Sequence, residues 1–217
     1  MSKLGRLGAM GMLMVSAVLG TGITAAPASA TPLTPPPGKI VIKVATVNGS
    51  GCPAGTTALA VSPDNTAFTV TYSKYNANVG PQSTATDFRK NCQLNLVVHV
   101  PQGYTFAIAQ ADYRGFASLQ PGATAVQRAN YYFQGSSRTD FSDHYFSGTL
   151  RDNWQTTDIV PVEALVWKPC GVDRNFNINT ELRVDQGTAN PNTTSFIAMD
   201  STDGSINTIY NLAWKKC

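Results

Sequence analysis

Charge is scarce in this 217-residue chain. Charged side chains make up 13% of it, about half the usual fraction. The only glutamates are Glu163 and Glu181, and the only histidines are His99 and His144. That supply limits the chemistry. Zinc sites use paired C-x-x-C or His spacings, and the four cysteines stand singly, 40 or more residues apart. A serine hydrolase needs Ser, His and an orienting acid, and the G-x-S-x-G elbow is missing. Neither Asp140-Phe-Ser-Asp143 nor Asp200-Ser-Thr-Asp203-Gly204 has the oxygen-ligand pattern of an EF-hand loop; turn chemistry explains both. Gly49-Ser-Gly51-Cys52-Pro-Ala-Gly55 has the glycines of a phosphate loop but no helix after it to hold the anion. No cofactor or metal is expected.

Long apolar runs are equally scarce. The one candidate runs from Leu7 to Thr24 behind Lys3 and Arg6, and ends in Ala28-Ser29-Ala30. A positive start, an apolar middle and a small-x-small exit mark an export signal over residues 1–30. The segment is too short and too glycine-rich to span a bilayer, which needs ~20 apolar residues. No later stretch approaches that length, so a free, secreted, monomeric product is expected, with no membrane partner. Without Lys3 and Arg6 the remaining chain carries a net charge of about +1, which provides no electrostatic case for nucleic acid.

In an oxidising compartment, four cysteines (Cys52, Cys92, Cys170 and Cys217) read as two disulfides. Of the three possible pairings, Cys52–Cys92 with Cys170–Cys217 is favoured because each joins neighbouring parts of the chain and neither crosses the other. Each closed loop contributes about 4 kcal/mol in the chain-entropy model.

Residues 31–38, Thr-Pro-Leu-Thr-Pro-Pro-Pro-Gly, form a stiff extended leader. From residue 39 to 217 the apolar period is two. Ile40, Ile42 and Val44 alternate with Lys39 and Lys43, and Phe68, Val70 and Tyr72 with Thr69 and Thr71. Leu94, Leu96, Val98 and Val100 follow the same rule, as do Ile206, Tyr210, Leu212 and Trp214. The clearest case is Phe176, Ile178, Thr180, Leu182 and Val184 against Asn175, Asn177, Asn179, Glu181, Arg183 and Asp185. Turn signals recur at short intervals, among them Ser62-Pro-Asp-Asn65, Gln120-Pro-Gly122, Gly135-Ser-Ser137 and Asp203-Gly204. The expected fold is all-β: one antiparallel β-sandwich domain, with Greek-key topology as one option, and two disulfides.

Two groups of residues stand out as candidates for function. In Gln110-Ala-Asp112-Tyr-Arg114-Gly115, alternation puts Gln110, Asp112 and Arg114 on one face at steps of roughly 7 Å. This reads more readily as a structural Asp112–Arg114 ion pair than as a ligand site, with Gly115 marking a bulge or a close backbone approach. The second group is aromatic: Tyr131-Tyr132-Phe133, Tyr145-Phe146, Trp154, Trp167 and Trp214. These exceed what one core face absorbs, so Tyr131, Phe133 and Trp154 are the expected outward platform for a sugar ring or a protein partner.

Several motifs together resemble a family of small secreted proteins of actinobacteria and filamentous fungi known as a domain of unknown function. They are Asn48-Gly-Ser-Gly-Cys52-Pro, Phe68-Thr-Val-Thr-Tyr72, Asn91-Cys92-Gln-Leu, Pro101-Gln-Gly-Tyr104, Asp112-Tyr-Arg-Gly115 and Tyr131-Tyr-Phe133-Gln-Gly135, in that order. The resemblance spans about Lys39 to Cys217. It implies a shared secreted, disulfide-bonded fold and brings no catalytic residue.

The leading expectation is a non-enzymatic extracellular module that binds a polysaccharide or a protein. The alternatives are an inhibitor or effector of extracellular proteases and, below it, a hydrolase using Asp112 or His144. A binding platform requires its aromatics exposed on a concave face. An inhibitor requires a protruding rigid loop near a disulfide, such as Gly49–Gly55, and a hydrolase a deep cleft with converging acids.

Overall fold

The period-two segments become strands, because alternation lets one face of each strand enter a core while the other stays wet. The computed structural model describes residues 34–136, 141–199 and 207–217. The chain forms β1 (Val41–Asn48), β2 (Thr57–Val61), β3 (Ala67–Tyr72), β4 (Asn76–Val79), β5 (Arg89–His99) and β6 (Tyr104–Leu119). It continues with β7 (Thr124–Phe133), β8 (Phe141–Ser147), β9 (Leu150–Ile159), β10 (Phe176–Asp185), β11 (Ser195–Ala198) and β12 (Thr208–Lys216). One 3-10 turn (Val162–Ala164) follows β9, and there is no α-helix among the described residues. The expected export signal, Ile206, the Asp203-Gly204 turn and the cluster from Asp200 to Gly204 lie outside the described residues, as do Ser137 and Asp140.

Two antiparallel sheets result. One has the order β1-β5-β10-β7-β8. The other runs β2-β3-β12-β6-β11-β4, and β9 also pairs with β6. The register puts Asn177 opposite Asn95 and Tyr132, and Glu181 opposite Asn91 and Arg128. Arg128 in turn faces Asp143. The even-numbered residues of β10 from Phe176 to Val184 are buried, as the sequence pattern requires. Thr180, the polar member of that set, bonds the buried Tyr75 hydroxyl at 3.0 Å, which satisfies both groups.

Aromatic rings from both sheets interlock in the core. Tyr210 stacks on Phe68 at 4.8 Å and takes Tyr113 and Tyr131 edge-on. Phe106 meets Phe133, Phe176 and Trp214. Phe133 is only 3% exposed and Trp154 6%. The expected outward orientation of these two aromatics is therefore corrected: a sandwich has two inner faces to fill, and their positions in β7 and β9 turn both side chains inward.

Both disulfides pair as the sequence favours. Cys52–Cys92 ties the loop after β1 to β5, with Cα atoms 5.3 Å apart. Cys170–Cys217 ties the approach to β10 to the end of β12, at 5.7 Å. The described part of the leader is held against the domain. Asn65 Nδ2 donates to the carbonyls of Pro36 and Gly38, Asn65 Oδ1 accepts from the Ile40 amide, and Trp214 Nε1 donates to the Asn65 carbonyl. Asn65 has φ 59°, a conformation Asn tolerates better than most residues.

Gly115 proves to be a close approach. It faces Trp154 across the β6–β9 ladder, and a Cβ there would sit 2.1 Å from the Ala198 carbonyl oxygen and 2.3 Å from the Trp154 ring. Gly115→Ala is expected to destabilise the fold by about 1–3 kcal/mol, the range for overpacking. Urea denaturation measures it, and a neutral result would contradict this seating of Trp154.

Candidate functional site

The sequence candidates separate in space. On the outer face of the seven-stranded sheet, Asp112 accepts from Gln110 Nε2 at 2.8 and 3.0 Å, Thr157 Oγ1 at 2.7 Å and Asn211 Nδ2 at 3.0 Å. The expected partner, Arg114, makes no ion pair with it among the described residues and is exposed. Gln110 is the neighbour that alternation placed beside Asp112, whereas Thr157 of β9 and Asn211 of β12 come from the flanking strands, which the sequence spacing could not reveal.

His144 has an acid, but a different one from the neighbouring Asp143. Its Nε2 lies 2.7 Å from Asp158 Oδ1 on β9. Ser142 Oγ donates to the same oxygen at 2.5 Å, and the Tyr131 hydroxyl to Oδ2 at 2.9 Å. Burial pushes the Tyr131 phenol well above its ordinary range, and Tyr210 and Asp158 push it the same way, so it stays a donor. A hydrolytic triad places the imidazole between serine and carboxylate. Here the serine and the imidazole both meet the carboxylate directly, and the serine proton is committed to Asp158. The cluster links β7 and β8 of one sheet to β9 of the other. Asp158→Ala would strand its donors in a largely buried place, and a loss of about 1–3 kcal/mol is expected in denaturant melts.

Beside this cluster, Tyr131, Tyr132 and Phe133 line an apolar crevice of about 230 Å³ with Ile108, Ile159 and Phe176. Tyr131 and Phe133, two of the three aromatics expected to form a platform, thus help to wall a recess. In the Gly49–Gly55 loop, Gly51 and Cys52 are buried, and Gly51 N donates to the Asn91 carbonyl at 2.8 Å. Ser50, Pro53, Ala54 and Gly55 of the loop are exposed.

A richer surface lies on the outer face of the five-stranded sheet. The odd-numbered residues of β5 (Asn91, Gln93, Asn95) and of β10 (Asn177, Asn179, Glu181, Arg183) share it. Arg128 of β7 and Phe141, Asp143 and Tyr145 of β8 complete it. Phe141 is 60% exposed and Tyr145 75%; they are the aromatics that face solvent here. The amides order one another: Asn175 Nδ2 donates to Asn95 Oδ1, and Asn95 Nδ2 to Asn177 Oδ1, each at 2.7 Å. Asn179 Oδ1 is shut off from solvent and has no hydrogen-bond partner among the described residues.

Charge is concentrated in one corner of this face. Glu181 pairs with Arg89 through one oxygen and with Arg183 through the other, the latter at 2.8 Å. Arg128 grips Asp143 with Nε and Nη2 at 2.6 and 2.5 Å, and its guanidinium lies 5.2 Å from the Phe141 ring centroid. A cleft of about 200 Å³ is lined by Arg89, Asn91, Gln93, Arg128, Phe141 and Asn179 among others. A neighbouring cleft of about 120 Å³ is lined by Val126, Arg128, Asp143, Tyr145, Glu181 and Arg183. Sequence reading passed over Phe141 and most of these polar residues, although the alternation of Phe141-Ser-Asp-His-Tyr-Phe146 already turns Phe141 and Tyr145 to one side.

Arg128 holds the Asp143 carboxyl below its ordinary range. Burial pushes Glu181 up, but Arg89 and Arg183 outweigh it and hold it down. Asp87 is drawn to about 2, chiefly by Lys90. Because these folded-state values are depressed, the stability they lend is complete above the unfolded carboxylate range near ~4 and is lost as pH falls through the folded values. Thermal melts are expected to hold level from pH 7 to about pH 5 and decline below it. In Asp143→Asn that acid-side decline should be smaller.

Residues 38–217 match the family described as "Domain of unknown function (DUF4360)". A protein of Arthroderma benhamiae named "Uncharacterized secreted protein" is 33% identical over 183 residues, covering 84% of this chain and 74% of that protein. Among solved structures, the enzymatically active domain of tailspike protein 4 from bacteriophage CBA120 aligns with 79% of this chain at 12% identity. The chain spans 19% of that structure, and at a TM-score of 0.26 the likeness carries no argument about fold or activity.

Proposed function

The chain belongs to the DUF4360 family, and we propose that this secreted, disulfide-bonded protein is a non-enzymatic extracellular binding module for glycans. The observation that carries the reading is the outer face of the five-stranded sheet, where the amides of Asn91, Gln93 and Asn179 line a cleft with the solvent-facing ring of Phe141, and that of Tyr145 lines the neighbouring cleft. Sugars present hydroxyls that both donate and accept, which side-chain amides match, and apolar ring faces that cover aromatic side chains. Farther along the same face, amide–amide bonds fix Asn95 and Asn175 in advance, and side chains already ordered add less cost to binding.

The alternatives have weaker support. A protease-inhibiting loop is expected to project, and Gly51 and Cys52 are buried. A hydrolase needs its acid free to act, and Asp158 is occupied by Ser142, His144 and Tyr131.

Glycan arrays probed with the secreted protein are expected to return a polysaccharide ligand. Phe141→Ala and Tyr145→Ala should each cut affinity by about tenfold, on the order of the 1.4 kcal/mol of one aromatic contact. Because both side chains are exposed, melting temperatures should stay close to that of the parent. No retention on any glycan would reject the proposal, as would unchanged affinity in the double variant.

A further inference from the structure

We propose that the glycan taken by this face is a polyuronate, held by its carboxylates at the arginine cluster around Glu181. The inference rests on the glycan-binding reading and names the ligand class.

The cluster draws on four neighbouring strands. Arg89 of β5 and Arg183 of β10 are direct cross-strand partners, a placement that like charges ordinarily make unfavourable. Glu181 relieves it by pairing with both. Arg128 of β7 faces Glu181 from the other side and is itself gripped by Asp143 of β8. Among the described residues, three guanidiniums therefore converge on two carboxylates, leaving one positive charge in excess on a chain otherwise poor in charge.

That excess is available to a ligand. The side chains of Arg89, Arg128 and Arg183 are 49%, 40% and 48% exposed, whereas the carboxylates beneath them are only 12% and 20% exposed. An incoming group meets the cations first. Each guanidinium carries five N–H donors and no acceptor, and the bonds to Glu181 and Asp143 leave donors on each of them. A planar carboxylate matches such a fork with two parallel hydrogen bonds.

The surroundings fit a sugar acid better than a bare anion. Tyr145 stands beside the cluster and donates to Asp143 Oδ2 at 3.2 Å. Phe141 lies under Arg128. Arg128 and Glu181 line both clefts, so the charged corner and the amide rows of Asn91, Gln93 and Asn179 adjoin. A uronate chain carries one carboxylate per ring, together with the hydroxyls and ring faces those amides and aromatics would meet.

The test compares binding of the secreted protein to polygalacturonate, its fully methyl-esterified form, a neutral galactan and a sulfated galactan by isothermal titration calorimetry. The acid polymer is expected to bind at least tenfold more tightly than the methyl ester. Its affinity should fall at least tenfold between 50 and 500 mM NaCl, since exposed charge pairs are screened. Arg183→Ala should lose tenfold or more on the acid polymer, and Arg183→Lys, which keeps the charge but not the fork, should recover only part. Equal binding of acid and ester would overturn the carboxylate assignment while leaving the glycan reading intact. Preference for the sulfated polymer, or an unaffected Arg183→Ala variant, would also overturn it. No binding to any of the four would remove the support of both. The wild-type comparison stands even where a variant fails to fold.

Discussion

The two-residue repeat of β10 is the constraint on which both the core and the surface depend. β10 lies between β5 and β7, so its pleat sets the register of three strands at once. Phe176, Ile178, Leu182 and Val184 go inward to meet the other sheet, and Asn179, Glu181 and Arg183 go outward, with Asn177 on the same side but covered. A slip of one residue would exchange the two sets, burying an ion-pair cluster and exposing the apolar row. The outer face is therefore held in place by hydrophobic burial on the opposite side of the same strand.

The β8–β9 connection imposes a second demand. Gly148 and Thr149 alone separate the two strands, yet β8 pairs within one sheet and β9 within the other. The strands must diverge from that short link, and the gap between them is bridged by Phe146 against Trp154 and, farther along, by Asp158 meeting Ser142 and His144. An ionised carboxylate has about four acceptor sites, enough for donors arriving from two strands. The residues that resemble catalytic parts thus have a structural task at the margin of the sandwich.

Much of the fold was legible in the sequence because its signals are local. Alternation identifies a strand without knowledge of its neighbours, and parity with non-crossing order identified both disulfides. The surface was harder to read. Whether an aromatic residue faces solvent depends on what lies across from it: Trp154 is accommodated inside because its partner is Gly115, and Phe133 because Phe106 and Phe176 enclose it. Asp158 went unnoticed for a related reason. Its partners are 14, 16 and 27 residues away in sequence and all on the opposite sheet. A signal did exist, since Trp154, Thr156 and Asp158 share parity, and a carboxylate on the side of a buried Trp needs donors.

The polar outer face differs from an ordinary wet sheet surface in how fully its groups hold one another. Long side chains lose rotamer freedom when a ligand immobilises them, at about 0.5–1.5 kcal/mol each. Here Arg128 is fixed by two bonds to Asp143 and by the Phe141 ring beneath it, Arg89 and Arg183 by a shared carboxylate, and Asn95 and Asn177 by each other. The carboxylates that do the fixing are held ionised by those same arginines, so the arrangement persists across mildly acidic and neutral conditions. Much of the ordering a ligand would otherwise impose is already present in the folded chain, and for that reason a shallow face with modest clefts can serve for recognition.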